Sequence, residues 1–109
     1  MAQSIITIKK RSTYLYVKNN GKFISTKSFN IQILQQSDLN NEIAIGYTAT
    51  KRLGNAVTRN RAKRRMKELA RKVITKYGKI NSYYVLIAKN SILTKPFKEL
   101  EMELENVIA

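Results

Sequence analysis

The chain has 109 residues, 43% of them hydrophobic, enough for one domain with a single core. Its 21 Lys and Arg against 7 Asp and Glu give a formal charge of +14, which resists compaction by self-repulsion and points to a polyanionic partner, nucleic acid ahead of an anionic membrane. With no His and no Cys, imidazole catalysis, thiol chemistry, disulfides and the usual zinc sites are excluded.

Ile5, Ile6 and Ile8 precede Lys9, Lys10 and Arg11, the reverse of a secretory signal, and no apolar run nears the roughly 18 residues of a membrane span. The expectation is a cytoplasmic protein with no membrane partner. From about Lys10 to Asn20, basic residues mix with Tyr14, Leu15, Tyr16 and Val17 before Asn19, Asn20 and Gly21, which predicts a short helix with a stop. Phe29, Ile31 and Ile33 alternate with Ser28, Asn30 and Gln32, and Ile43, Ile45 and Tyr47 alternate with Ala44, Gly46 and Thr48. Both patterns are strands, joined through the polar stretch 35–42.

The longest periodic segment runs from Asn55 to Tyr77 and is closed by Gly78, a helix-ending residue. At 100° per residue, Met66, Leu69, Val73 and Tyr77 fall within about 60° of Ala62, so this arc faces the core. Arg61, Arg65 and Lys72 lie on one side of the remaining surface and Arg64 and Arg71 opposite, with only Glu68 between them. Arg59 falls on the apolar side, but in the first turn, where its long side chain reaches past the core toward a groove. Tyr83 to Ala88 suits a central strand buried on both faces. Thr94, Lys95, Pro96 and Phe97 then read as a helix entry, with Leu100, Leu104, Val107 and Ile108 at helical spacing. Strands and helices mix without repeats or linkers, which predicts one α+β domain over residues 1–109.

Position says more than the total charge. Lys51 to Lys79 holds twelve basic residues against Glu68, a net of +11, whereas Phe97 to Ala109 has a net of −3. Six of the seven Arg lie between Arg52 and Arg71. Their planar fork grips phosphate bidentately or stacks on a base, which an ammonium cannot do. The helix N-terminus after Gly54 and Asn55 adds free N–H groups and a positive dipole end for a phosphate. A solvated charged face and a basic membrane-surface helix are the competing readings. The first lacks acidic partners, and the second lacks Trp or Phe on the apolar face.

The run from Lys51 to Glu68, with Gly54, Asn55, Ala56 and Val57, then Arg59, Asn60 and Arg61, then Lys63, Arg64 and Arg65, resembles the RNR signature of the bacterial ribonuclease P protein subunit. Lys9, Lys10 and Arg11 before an aromatic helix resemble that family's N-terminal part, and Val85 to Lys89 its last core strand. The resemblance implies a small two-layer α/β sandwich. The expected fold has three helices, a mostly antiparallel sheet of about four strands, and a left-handed βαβ crossover through the basic helix. It further implies that this helix contacts a catalytic RNA through Arg59, Asn60, Arg61, Lys63, Arg64 and Arg65. A cleft bordered by Tyr14, Lys18, Gln32, Thr48, Thr50, Lys51, Arg52 and Lys89 would hold the 5′ leader of precursor tRNA. Lys18 and Gln32 stand where the family often has aromatics, which shifts leader contacts from stacking toward charge and hydrogen bonding. Core packing is the plainer role for Tyr14, and more so for Phe29.

No constellation for protein catalysis is legible. Four of the seven carboxylates, Glu99, Glu101, Glu103 and Glu105, sit on the last helix as i, i+4 pairs that read as a solvated face. The resemblance agrees: its RNA subunit carries the active site and the Mg2+, and the protein aids hydrolysis of one phosphodiester bond to form the mature tRNA 5′ end. The protein alone is expected to be a monomer. A ribosomal or RNA-chaperone protein using the same helix, or a DNA-binding module placing it in the major groove, remains as an alternative.

Overall fold

Strands and α-helices follow along the chain as β1 (Ile5–Thr7), α1 (Arg11–Asn20), β2 (Lys22–Ser25), β3 (Phe29–Gln35), β4 (Ile43–Thr48), α2 (Ala56–Tyr77), β5 (Ser82–Ala88) and α3 (Phe97–Ile108). This computed structural model describes residues 4–108. The strand order is β1-β4-β5-β3-β2. β1 with β4 and β4 with β5 are parallel, whereas β2 with β3 and β3 with β5 are antiparallel.

The sheet is therefore mixed and five-stranded, not mostly antiparallel with about four strands. The expectation missed β1 and β2, edge strands of three and four residues. Such runs are too short to display an alternation. The central position expected for Tyr83 to Ala88 is observed: β5 lies between β4 and β3.

Alternation along the strands divides the core in two. Ile43 and Ile45 of β4, Tyr84 and Leu86 of β5, and Phe29 and Ile31 of β3 pack with Met66, Leu69 and Ile74 of α2 and Leu100 and Leu104 of α3. Ala44, Tyr83, Val85 and Leu34 point to the other face, where they meet Ile8, Val17 and Leu39. Helices thus cover both sides of the sheet, and the two-layer expectation gives way to α1 on one face and α2 with α3 on the other. Phe29 is fully buried, in the core role expected of it.

α2 is capped by Asn55, whose Oδ1 accepts from the Thr58 N–H at 2.9 Å. It ends at Gly78 for a reason other than backbone handedness, because φ there is an ordinary −68°. A Cβ at Gly78 would lie 2.5 Å from the Ile74 carbonyl oxygen and 2.7 Å from Ile74 Cγ2. The turn into β5 needs that space empty.

α3 is fastened by charge as well as by Leu100 and Leu104. Ser28 donates to Glu103 from its N–H at 3.0 Å and from Oγ at 2.8 Å, and Lys95 Nζ lies 3.2 Å away. The Glu103 side chain is only 16% exposed, so this carboxylate does not belong to the solvated face expected of it. Burial by itself would raise its pKa, but the bonds from Ser28 and Lys95 outweigh burial and hold it below the ordinary glutamate value. The stability it contributes is complete above the unfolded-state glutamate pKa, about 4.3, and disappears as pH falls through the lower folded value. Urea titrations between neutral and acid pH should show a steeper acid loss in the native chain than in Glu103→Gln. Parallel curves for the two would show that this carboxylate carries none of the acid sensitivity.

Candidate nucleic-acid interface

Burial of Ala62, Met66, Leu69, Ala70, Val73 and Ile74 fixes the rotation of α2 and turns its cations out to two different neighbourhoods. On the β1 side, Asn60, Lys63, Arg64 and Lys67 line an open cavity of about 420 Å3 together with Thr7, Tyr14 and Tyr47. Among the described residues, no carboxylate joins them. On the α3 side, Arg65 Nη2 donates to the Lys95 carbonyl at 2.5 Å, and Lys72 Nζ sits 4.0 Å from Glu101 and 5.6 Å from the centre of the Phe97 ring.

The helix-borne candidates separate accordingly. Asn60, Arg61, Lys63 and Arg64 are exposed. Arg65 is half-buried and tied to the entry of α3 rather than free for a ligand. Arg59 is half-buried as well, and its Nε is enclosed without a hydrogen-bond partner. The helix N-terminus is partly closed to an anion, since Asn55 already takes the Thr58 N–H.

Tyr14 occupies a position set by the sheet. β1 ends at Thr7, which pairs with Ile45, so the edge of β4 lacks a strand neighbour from there on. The Tyr14 hydroxyl takes that place: it accepts from the Tyr47 N–H at 3.1 Å and has the carbonyls of Ile8 at 3.3 Å and Tyr47 at 3.4 Å as acceptors. Its ring lies over Gly46, where a Cβ would come within 2.7 Å of Tyr14 Cε1. Beside it, burial is the main cause that pushes the Tyr47 hydroxyl up to about 12, helped by Tyr14 and opposed by Arg71. Tyr47 is therefore neutral at physiological pH and adds no negative charge to the cavity.

The other cleft candidates do not form one cluster. Gln32 is 8% exposed, inside the sheet between Phe23 of β2 and Val85 of β5. Lys18 is exposed one helical turn after Tyr14. Thr48 pairs with Ile87, and Ile87 with Asn30, so the three form a half-buried row across the α1 face of the sheet. Thr50, Arg52 and Lys89 line a cavity of about 280 Å3 at the C-terminal ends of β4 and β5, with Lys51 exposed on the same turn. The Lys89 ammonium is engaged, donating to Ser25 Oγ at 2.8 Å and to the Thr26 carbonyl at 2.6 Å.

Sequence reasoning missed Lys67 and Tyr47 of the larger cavity and three further contributors. Phe23 is 57% exposed and lies directly opposite Gln32, hence on the same face of the sheet, as an unclaimed aromatic surface. Asn30 keeps a buried Oδ1 with no partner beside Thr48 and Ile87. Thr7 joins the cavity only because β1 pairs with β4. Phe23 and Thr7 sit in strands too short to announce which way a side chain points. Among the described residues, no group of three or more acidic side chains stands where it could hold a metal ion. None of the helices described is long and apolar enough to cross a membrane.

The family model described as Ribonuclease P matches residues 3–109. The chain is similar to the ribonuclease P protein component of Caulobacter vibrioides, 36% identical over 93 residues, or 85% of this chain and 62% of that protein. To the component from Gluconacetobacter diazotrophicus it is 32% identical over 99% of this chain and 92% of the relative. Its fold is similar to that of the RNase P protein from Thermotoga maritima, with a TM-score of 0.79 at 19% identity, covering 94% of each chain. The Staphylococcus aureus RNase P protein gives 0.76 at 23% identity over 93% of this chain and 90% of the other. By its near-complete match to the family model and its similarity to named components along almost its whole length, the chain belongs to the ribonuclease P protein family.

Proposed function

We propose that this chain is the RNA-handling subunit of a ribonuclease P ribonucleoprotein and contributes no side chain to bond cleavage. The observation that carries the reading is the carboxylate-free cavity of Asn60, Lys63, Arg64 and Lys67 beside Tyr14. Cations held without acidic partners suit a polyanion, whereas hydrolysis by protein groups calls for a placed base or a set of metal-binding carboxylates. In this reading the RNA subunit carries the active site and the Mg2+. Hydrolysis leaves a 5′-phosphomonoester on the tRNA, and the protein by itself is a monomer in the cytoplasm. A ribosomal or chaperone role is disfavoured by the name shared among the relatives.

The side chains divide the work by position. Asn60, Arg61, Lys63 and Arg64 meet the RNA subunit, with Arg59 at the rim of the same turn. Tyr14, Lys18, Thr48, Thr50, Lys51 and Arg52 border the path of the leader, and exposed Phe23 adds a stacking surface that neither Lys18 nor Gln32 supplies. Arg65, Lys89 and buried Gln32 act from behind, holding the elements that present the others. Two RNAs repel through their phosphates. A cationic surface between them lowers that cost and favours precursor, which has a leader to bind, over product, which has none.

Reconstitution with the ribonuclease P RNA of the same genome should raise precursor cleavage at low magnesium. No gain over RNA alone would remove the proposed function. Arg61→Ala should make the salt dependence of RNA binding shallower by about one unit or slightly less and leave folding unchanged. Arg65→Ala should instead lower stability by about 1 to 3 kcal/mol, through loss of its bond to the Lys95 carbonyl. Equal stabilities for the two variants in urea would show that this bond carries no weight. Tyr14→Ala should weaken precursor tRNA more than mature tRNA in the assembled enzyme. Tyr14→Phe, which keeps the ring, should retain the discrimination. An equal loss of both tRNAs in Tyr14→Ala would confine Tyr14 to its packing role.

A further inference from the structure

The turn between β2 and β3 is held by side chains, because its own backbone gives it little. β2 is an edge strand of four residues whose one strand neighbour is β3, and a short two-stranded hairpin is marginal without support from packing. Two groups close on the turn. Lys89, just past β5, donates its N–H to the Ser28 carbonyl at 3.0 Å and its ammonium to Ser25 Oγ and the Thr26 carbonyl. Glu103 of α3 takes the Ser28 N–H on Oε1 and the Ser28 hydroxyl on Oε2. The N–H, hydroxyl and carbonyl of Ser28 are thereby all engaged, and the residue is fully buried.

Glu103 does more than fasten α3. Leu100 and Leu104 are fully buried and already seat that helix in the core. An apolar residue at 103 would add to the seat without the desolvation cost of a carboxylate. What the carboxylate adds is direction, because two oxygens committed to two donors of one residue fix where the turn stands. The same carboxylate receives the Lys95 ammonium at 3.2 Å, and the Lys95 carbonyl takes Arg65 Nη2. A bonded path therefore starts on α2, one residue after Arg64 of the cationic cavity, and ends on the hairpin that carries exposed Phe23.

We propose that Glu103 is a positioning residue for the choice of precursor over mature tRNA: through Ser28 it sets the place of the β2–β3 hairpin, and so of the Phe23 ring, relative to α2. The proposal rests on the reading of Phe23 as a stacking surface on the leader path. It gives the acidic last helix a part in substrate choice, although α3 contributes no residue to the cavity of Asn60, Lys63, Arg64 and Lys67. Placement matters at this scale, since a ring that drifts by about 0.5 to 1 Å from its partner forfeits about a quarter to a half of each atomic contact.

The test is a double-mutant cycle in the enzyme assembled with the ribonuclease P RNA of the same genome, reading the ratio of affinities for precursor and mature tRNA. Phe23→Ala should lower this ratio about 5-fold or more, the worth of one stacked base. Glu103→Ala should lower it about 2- to 10-fold, in the range of coupled neighbours. Phe23→Ala/Glu103→Ala should fall no further than Phe23→Ala alone, because a hairpin without its ring has nothing left to position. Glu99→Ala removes the same charge from an exposed place on α3 and should leave the ratio unchanged. Glu103→Gln, which keeps an acceptor for the Ser28 N–H, should lie between Glu103→Ala and the native chain, and it takes the place of Glu103→Ala in the cycle if thermal unfolding shows that variant to be unfolded. A purely structural Glu103 would cost precursor and mature tRNA alike and leave the ratio as it was. That result, additive losses in the double variant, no loss in Phe23→Ala or an equal loss in Glu99→Ala would each overturn the proposal. If the native chain confers no preference for precursor, the proposed function fails; if it does and the cycle is additive, only the role of Glu103 is lost.

Discussion

The rotation of α2 about its own axis is the constraint on which the rest of this structure depends. Six apolar side chains, from Ala62 to Ile74, are buried against the sheet and α3, and a helix seated through that many contacts cannot turn without opening the core. Every cation on the helix inherits its direction from this seat. A shift of one residue in the apolar pattern would rotate the set by about 100° and carry Lys63 and Lys67 away from β1. The hydrophobic core is thus the device that aims the charge.

A net charge of +14 on 109 residues also needs managing in the free protein. The acidic last helix offsets part of it locally. Glu101 meets Lys72, and Glu103 joins Lys95 to Ser28, so the link from Arg65 through Lys95 and Glu103 reaches the turn between β2 and β3. Lys89 holds the same turn from its other side, through Ser25 and Thr26. These bonds place α2, α3, the β2–β3 turn and the end of β5 relative to one another, and the glutamates among them offset charge on the flank of α2 that faces away from β1. Exposed pairs such as Lys72 with Glu101 are individually weak, so their value lies in where they put negative potential more than in stability.

How much of this was legible in the sequence depends on the range of the interaction concerned. The long helix shows itself because Ala62, Met66, Leu69 and Val73 repeat locally over several turns, and β5 because Tyr83 to Ala88 is a compact apolar run between polar segments. The RNR resemblance carries the family. What stayed hidden is set by contacts distant in the chain. β1 and β2 exist through pairing with β4 and β3, and their own three or four residues hold no period. The tie of Arg65 to Lys95 and of Glu103 to Ser28 spans 30 and 75 residues, and no spacing rule links such partners. Gln32 reads as a polar residue on an alternating strand, yet it is buried on the sheet face that α1 covers, between Phe23 and Val85.

Tyr14 shows how closely scaffold and site are joined. Its hydroxyl closes the edge of β4 where β1 has already ended, a task that a longer β1 would perform with backbone. A longer β1 would also extend over the mouth of the cavity that Asn60, Lys63 and Arg64 share with Tyr14 and Tyr47. Keeping β1 short opens that mouth, and the phenol satisfies the Tyr47 N–H that would otherwise lose its partner in a half-buried setting. The small size of Gly46 allows the ring to lie flat enough to reach. An aromatic surface is therefore held in a fixed place at the edge of a cationic groove, by bonds to backbone that no ligand has to supply. Pre-placement of this kind lowers the ordering cost of binding, and it follows from a strand that stops after three residues.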